Sequence, residues 1–153
     1  MSASDLIQLR LPRTDPEYDR YFDLRWRVLR EPWGQPRGSE RDSLDESGVH
    51  VMAEVAAGEL LGAGCLHLNH LGEAQIRYMA VEEFSRGKGV GRAMVEWLEQ
   101  KAHDQNATAV VLNSRKSAIG FYERLGYSVV EQRETLFGEI EHFWMRKNLT
   151  DIV

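Results

Sequence analysis

The stretch that decides the fold runs from Arg77 to Gln100 and reads RYMAVEEFSRGKGVGRAMVEWLEQ. Its first residues form an apolar run that is typical of a β-strand. A polar turn follows, and then glycines stand at every second position between basic side chains. The last part places apolar residues close to the i, i+3, i+4 spacing of a buried helix face. These residues are Val90, Met94, Trp97, Leu98 and, just beyond the stretch, Ala102. The pattern therefore predicts a strand, a glycine loop and a long helix, in that order.

The glycine loop has the chemistry of a phosphate-binding site. Glycines let the backbone approach a ligand closely, and the free N–H groups at a helix start favour an anion. Arg86, Lys88 and Arg92 add positive charge at the same place. A P-loop is excluded because Gly89, not Ser or Thr, follows Lys88, and a dinucleotide fingerprint would need a small residue where Arg92 or Met94 stands. A glycine-rich turn before an ordinary surface helix is the simpler interpretation of the loop alone.

Composition and charge narrow the class of protein. The chain has 153 residues, 42% hydrophobic and 28% charged, which is typical of one globular domain. With 19 basic and 24 acidic residues the net charge is −5, so we expect no nucleic-acid partner, whereas a cationic substrate such as an amine is compatible. The single cysteine, Cys65, excludes an internal disulfide, suits a reducing cytoplasm and is expected to be a buried, unreactive thiol. We see no signal peptide and no apolar run of the roughly 20 residues that would span a bilayer.

The rest of the chain predicts an α/β domain with the order β-α-loop-β-β-β-α-β-α-β-β. Thr14 is expected to cap the first helix in a capping box with Glu17, and Ser117 to cap the third helix, which Gly126 ends. Gly62 and Gly64 suggest a bulge or a close backbone contact. A helix between two apolar strands predicts a parallel strand pair. The predicted strands are 6–11, 49–56, 60–68, 74–81, 108–112, 127–131 and 142–147, and the predicted helices run from 15 to about 30, from 90 to about 104 and from 118 to 125.

The segment 31–48 is a long loop that allows two interpretations. It is rich in proline and glycine, and loops of this length in a compact domain are often functional. In the functional interpretation its acids attract an amine acceptor and Trp33 packs over it; in the other it is a solvated connector with Trp33 anchored in the core. The acids are Glu40, Asp42, Asp45 and Glu46.

A second motif follows the predicted parallel strand and reads NSRKSAIGFYERLGY from Asn113 to Tyr127. Together with Arg-x-x-Gly-x-Gly at Arg86, Gly89 and Gly91, it resembles the two signatures of the GCN5-related N-acetyltransferase (GNAT) superfamily, in the right order and separation. The second signature is carried by Ala118, Phe121, Tyr122, Gly126 and Tyr127. One position departs from the family pattern, because Arg115 stands where asparagine is frequent. Either Asn113 or Arg115 would then make that coenzyme contact.

The resemblance implies an acyl-CoA N-acyltransferase fold: a mixed, largely antiparallel central sheet with a splayed parallel strand pair, flanked by helices. It implies acetyl transfer from acetyl-CoA to a primary amine by direct attack, on a small molecule or a protein, within a single N-acetyltransferase domain over residues 1–153. The implied coenzyme contacts are Met79, Ala80, Val81, Arg86, Gly87, Lys88, Gly89, Val90, Gly91, Arg92 and Asn113. Backbone groups of Met79 and Val81 would pair with the pantetheine arm and polarise the thioester carbonyl.

Tyr122 is the residue that the resemblance implies as general acid, because a phenol is protonated at neutral pH and can donate to the departing thiolate. From helix spacing alone, Tyr122 would be a core aromatic. The general base is left open among several histidines and acids: Glu46, His50, His67, Glu82, Glu83 and His142. We expect no metal, since the histidines show no ligand spacing. The oligomeric state also stays open, with a homodimer as one option, and a catalytically silent acyl-CoA-binding sensor of the same fold is the competing function.

Overall fold

The computed structural model describes residues 6–70 and 72–149, so the turn expected at Leu71 lies partly outside the described residues. Its helices are α1 (Asp15–Leu29), α2 (Val90–Asp104) and α3 (Ile119–Arg124). Its strands are β1 (Ile7–Arg10), β2 (Val49–Val55), β3 (Leu60–His70), β4 (Glu73–Val81), β5 (Ala109–Arg115), β6 (Ser128–Gln132) and β7 (His142–Asn148). The predicted order of elements is confirmed. Among the described residues, no helix is both long and apolar enough to cross a membrane.

All seven strands join one sheet in the order β1-β2-β3-β4-β5-β7-β6. The β4–β5 pair is parallel, and the other neighbouring pairs are antiparallel. A parallel pair needs a crossover, and α2 supplies it, as the sequence predicted. The mixed, largely antiparallel sheet expected from the sequence is therefore confirmed.

Helix α1 covers one face of the sheet. Tyr21, Phe22 and Leu24 are buried there, against Met52 and Ala63 of the sheet. Its start differs in one detail from the predicted capping box. The Thr14 hydroxyl accepts from the Glu17 amide at 3.2 Å as expected, and the Glu17 carboxylate accepts from the Arg13 amide at 2.8 Å. The same carboxylate is held by Arg10 of β1, so the helix start is tied to the sheet.

Helix α2 covers the opposite face, and it buries the apolar stripe that its spacing predicted, with Trp97 partly exposed. Two glycines of β3 allow this close approach. A Cβ on Gly62 would lie 2.8 Å from the Met94 side chain, and a Cβ on Gly64 would lie 2.6 Å from the Met79 sulfur. The close backbone contact expected at these glycines is confirmed, and the packing of α2 depends on it.

The start of α3 was predicted wrongly. A turn of 3₁₀-helix spans Lys116–Ala118, and Ala118, not Ser117, precedes the helix without a side-chain cap. The helix end was predicted correctly. Gly126 has a φ of 100°, and the Tyr127 amide donates to the Tyr122 carbonyl across the helix end. This end places Tyr122 and Tyr127 against each other with ring centroids 5.8 Å apart.

The loop between α1 and β2 contains two short 3₁₀ turns, Glu31–Trp33 and Ser43–Glu46. Two of its acids bind arginines of the fold. Asp45 pairs with Arg25 of α1 at 3.0 Å, and Asp42 pairs with Arg77 of β4. Arg77 holds the pKa of the Asp42 carboxyl down at about 2. The loop is therefore fastened to the sheet and to α1 by its own carboxylates.

Candidate active site

The parallel strands β4 and β5 separate before either of them ends. The pairing between the two strands begins with Glu73 opposite Ala109 and stops with Ile76 opposite Leu112. Strand β4 continues to Val81, still paired with β3, and within the described residues no strand pairs with its other edge over this part. Tyr78 has a φ of 52° at this point, where the β3–β4 register shifts. The splayed pair expected from the sequence is thus present, and a bulge turns the strand beside it.

A groove of about 610 Å³ lies between β4, the glycine loop and α3. Met79 and Val81 line it from the strand, and Arg86, Gly87, Gly89, Val90, Gly91 and Arg92 line it from the loop and the start of α2. Gly87 and Gly89 have φ values of 78° and 85°, which favour glycine. Free amides at the start of α2 suit a phosphate. We call this cavity the coenzyme groove.

Three expected coenzyme contacts, Ala80, Lys88 and Asn113, do not line this groove. The Ala80 methyl is buried on the α1 side of the sheet, and the exposed Lys88 lies outside the residues that line the groove. Among the cations that do line it, Arg92 pairs with Glu96 at 3.0 Å. Arg86 forms no side-chain hydrogen bond or ion pair within residues 6–70 and 72–149, so its charge is available to a phosphate.

A second cavity, of about 390 Å³, opens on the α1 side of the splayed strands. The C-terminal end of α1, strands β4 and β5, and the segment between β6 and β7 enclose it. Its polar lining consists of Arg30, Gln75, Arg77, Tyr78, Asn113, Ser114, Arg115, Arg133, Glu134 and His142. We call it the acceptor cavity. Asn113 lines this cavity and not the coenzyme groove, whereas Arg115 lines both.

The two cavities meet at a junction formed by Leu29, Met79, Arg115, Ala118 and Tyr122. Tyr122 is only 7% exposed, and its ring packs edge-to-face on Phe121. Its hydroxyl has no hydrogen-bond partner among the described residues, although the side chain lines both cavities. Burial raises the Tyr122 pKa, against a smaller opposing effect of the Arg115 charge. The phenol is therefore protonated at neutral pH and faces the place where donor and acceptor would meet.

Of the six residues considered as general base, His142 is the one that lines the acceptor cavity. Its Nδ1 lies 3.0 Å from the Ile140 carbonyl oxygen. A carbonyl can only accept, so Nδ1 carries the proton and Nε2 keeps a lone pair. Burial lowers the His142 pKa, and the nearby charges of Arg115 and Arg30 lower it further. The ring is therefore neutral at pH 7 and can accept a proton.

The other candidates are placed differently. Both ring nitrogens of the buried His50 are engaged, with the Tyr21 hydroxyl and the Asp45 carbonyl. His67 contacts Asn69, and Glu82 pairs with Arg27. Glu46 and Glu83 are exposed and line neither cavity. None of these five residues lines either cavity.

The acids of the long loop lie outside both cavities. Residues 31–48 contribute nothing to the lining of either cavity. Glu40 is buried, and its carboxylate accepts from the Gly38 amide. Asp45 and Asp42 bind Arg25 and Arg77, as described above. Trp33 is partly buried and belongs to neither apolar core cluster. Electrostatic attraction of an amine by this loop is thus not supported by the structure.

One group of potential metal ligands occurs among the described residues, formed by Asp45, His50 and Cys65, whose ligand atoms all lie within 4.8 Å of one another. The buried Arg25 guanidinium pairs with Asp45 in the same place. Burial raises the pKa of the Cys65 thiol to about 11. His50 and Asp45 are already engaged there, His50 with the Tyr21 hydroxyl and Asp45 with Arg25.

Sequence reasoning missed Arg30 and Arg133 as lining residues, and it weighed Arg115 only as a coenzyme contact. No local signal marks the first two. Arg30 ends α1, and Arg133 lies between β6 and β7, so the two are brought together by the fold alone. The register Arg115–His142 on β5 and β7 could have been anticipated only with the strand order known.

Comparisons with known proteins agree with this geometry. Residues 18–127 match the model of the acetyltransferase (GNAT) family. The uncharacterized N-acetyltransferase YjcF of Bacillus subtilis is 30% identical over 128 residues, covering 83% of this chain and 89% of that protein. An acyl-CoA N-acyltransferase from Pseudomonas aeruginosa superposes with a TM-score of 0.78 at 26% identity, over 93% of this chain and 98% of the other. A GNAT family acetyltransferase from Elizabethkingia anophelis, solved with acetyl-CoA bound, shares the fold with a TM-score of 0.70 at 18% identity, over 94% and 98%. The chain belongs to the GNAT family and is an acetyl-CoA-dependent acyltransferase.

Proposed function

We propose that this enzyme transfers the acetyl group of acetyl-CoA to a primary amine by direct attack, with the coenzyme in the coenzyme groove and the amine in the acceptor cavity. The observation that carries the proposal is the junction at Tyr122, where the two cavities meet beside the splayed end of β4. A ternary complex needs this arrangement, because the amine must reach the thioester carbonyl without an acetylated enzyme residue between them.

The chemistry assigns a step to each group at the junction. Nε2 of His142 takes a proton from the ammonium and passes it to solvent. The neutral amine then attacks the thioester carbonyl, whose developing oxyanion would be stabilised by the unpaired edge of β4 at Met79. As the C–N bond forms and the C–S bond breaks, Tyr122 gives its proton to the coenzyme sulfur. The nitrogen loses its second proton, and Tyr122 is reprotonated, so the products are an amide, coenzyme A and one released proton.

The direct test is release of thiol from acetyl-CoA in the presence of a panel of primary amines. We expect release with at least one amine, together with the acetylated amine by mass spectrometry. Initial rates varied in both substrates should give intersecting double-reciprocal lines, as a ternary complex requires. Parallel lines would contradict direct attack, because they indicate an acetylated enzyme intermediate. Tight coenzyme binding without release for any amine would favour a sensor of acyl-CoA.

The His142 assignment predicts a pH dependence. Because the pKa of His142 is lowered, its neutral form persists below the ordinary histidine pKa of about 6.5. We therefore expect kcat/KM for the amine to fall on the acid side through an apparent pKa below that value. In His142→Gln this step should disappear, and the rate at pH 7 should fall about 100-fold.

His103→Gln is the matched control, because His103 is exposed on α2 and lines neither cavity. It should keep the wild-type profile. An acid limb that persists unchanged in His142→Gln would show that another group, or the amine itself, carries the titration.

A further inference from the structure

The acceptor cavity is lined by more positive charge than its own acids neutralise. Arg77 is paired with Asp42, and Arg133 with Glu131. Arg30 and Arg115 also line the cavity, and within the described ranges neither forms an ion pair with a carboxylate. Glu134, the acid in the lining, is exposed and forms no ion pair with described residues. A ligand of this cavity is therefore expected to neutralise the charges of Arg30 and Arg115.

Arg30 is held in a fixed position although it lacks an anion. Its Nε donates to the Ser39 carbonyl at 3.1 Å, and one terminal nitrogen donates to the Leu29 carbonyl at 3.1 Å. Its guanidinium also lies over the rings of Tyr78 and Phe137, at 5.4 and 5.5 Å from their centroids. An arginine held in this way has lost most of its side-chain freedom before any ligand arrives, which favours tight binding of an anion.

Arg115 is partly buried beside the junction and opposes His142 across the β5–β7 ladder. Burial lowers the Arg115 pKa, and the charges of Arg30 and Arg86 lower it further. Arg30 and Arg115 thus repel each other, and an anion bound in the cavity would relieve this repulsion. Guanidinium groups bind carboxylates and phosphates through charge-assisted hydrogen bonds, and an arginine pair is well suited to either.

The coenzyme groove has its own cation for a phosphate. The pyrophosphate of the coenzyme belongs to the glycine loop, and the cation available there is Arg86. Arg30 lines only the acceptor cavity, on the other side of the junction. The pantetheine arm and the thioester carry no charge. Because Arg30 lines only the acceptor cavity, an anion bound to it would come with the acceptor, on the side of the junction that Arg115 borders.

We propose that the acceptor is a primary amine that carries an anionic group, a carboxylate or a phosphate monoester, close to its nitrogen, as in an α-amino acid or an aminoalkyl phosphate. This rests on the proposed function and names its substrate class. Arg30 and Arg115 bind the anionic end. The ammonium end lies toward His142 and the junction. An acceptor that is only a cation, such as a polyamine, would face the two guanidinium groups and be disfavoured.

The test compares matched acceptors in the thiol-release assay. The series contains amino acids, the corresponding carboxamides, the corresponding decarboxylated amines and aminoalkyl phosphates. A charge-assisted hydrogen bond is worth about 1.5–3 kcal/mol, so we expect kcat/KM to be about 10- to 150-fold higher for the anionic amine than for its neutral partner. The better of the carboxylate and phosphate arms identifies the source of the anion.

Variants then connect the preference to the two arginines. Arg30→Gln and Arg115→Gln should each reduce the preference for the anionic amine at least tenfold, mainly through KM, while Arg30→Lys keeps part of it. Arg37→Gln removes an equal charge from an exposed position outside the acceptor cavity and should keep the preference. Thermal unfolding of each variant shows that it is folded. Binding is also measured without turnover, as the rise in Tm of the wild type with the anionic amine and coenzyme A.

The outcomes separate the two proposals. Equal kcat/KM for anionic and neutral amines overturns the anionic acceptor and leaves amine acetylation standing. A preference that survives in both glutamine variants overturns the assignment of the anionic end to Arg30 and Arg115. Absence of thiol release with every member of the series, with no rise in Tm, overturns the acceptor class. If in addition no other amine supports release, amine acetylation is overturned as well.

Discussion

Replacing Tyr122 with phenylalanine is expected to lower kcat about 100-fold and to leave the KM for acetyl-CoA close to that of the wild type. The phenol is the protonated group at the junction of the two cavities, and phenylalanine keeps its buried ring while removing the proton donor. Without that donor the coenzyme thiolate must leave unprotonated or take its proton from water. Steady-state kinetics with acetyl-CoA and the best amine of the panel would measure both constants.

Tyr127→Phe is the matched control for Tyr122→Phe. Tyr127 is a buried neighbour whose ring centroid is 5.8 Å from that of Tyr122, but it lines neither cavity and its hydroxyl donates to Glu99 at 2.7 Å. Removing the Tyr127 hydroxyl should lower the stability of the protein and leave kcat unchanged. Unchanged turnover in Tyr122→Phe would remove Tyr122 from the mechanism and return it to the role of a core aromatic.

Replacing Arg25 with methionine is expected to reduce the free energy of unfolding by about 3–5 kcal/mol, the usual cost of removing one partner from a buried ion pair. The Arg25 side chain is 0% exposed and pairs with Asp45 at 3.0 Å. It also donates to the Glu40 carbonyl and the Tyr21 hydroxyl. Methionine fills a similar volume but leaves the Asp45 carboxylate, itself nearly buried, without its cation. Urea unfolding followed by circular dichroism would measure the loss.

Arg25 also contacts a residue that lines the acceptor cavity. Its guanidinium lies 4.2 Å from the centroid of the Tyr78 ring, and Tyr78 forms the bulge where β4 turns away from its parallel neighbour. We therefore expect Arg25→Met to raise the KM for the amine in addition to lowering stability. Arg20→Met is the control, since Arg20 is exposed on the same helix and donates only to the Gly58 carbonyl. A loss below about 1 kcal/mol in Arg25→Met, which is the range of exposed pairs, would show that Asp45 finds another partner.

The donor side of this enzyme could be predicted because its determinants are contiguous in the chain. Backbone amides and glycines of one loop make a phosphate site, and the strand before it and the helix after it follow from hydrophobic periodicity. For the same reason the positions of Tyr122 and of the turn at Gly126 were visible in one short motif. One cap was predicted wrongly, at Ser117, where a 3₁₀ turn replaces the expected first turn of α3. Ala80, Lys88 and Asn113 also do not line the coenzyme groove.

The acceptor side could not be predicted, because its charges are set by partners distant in sequence. The acids of residues 31–48 looked available for an amine, yet Asp42 and Asp45 are bound to Arg77 and Arg25. Which arginines remain unpaired is therefore a result of pairing across the fold, and a net charge of −5 gives no hint of a cationic cavity.

The sequence by itself determined the order of elements and a phosphate-binding glycine loop at Arg86–Arg92, since these depend on local spacing and backbone conformation. The class of donor followed from the resemblance to the GNAT superfamily. Only the tertiary structure decided where β4 and β5 part, that His142 lies beside Arg115, and that Arg30 faces the same cavity. Strand register and the packing of α1 on the sheet bring these groups together, and long-range contacts of this kind leave no periodic signal in the chain.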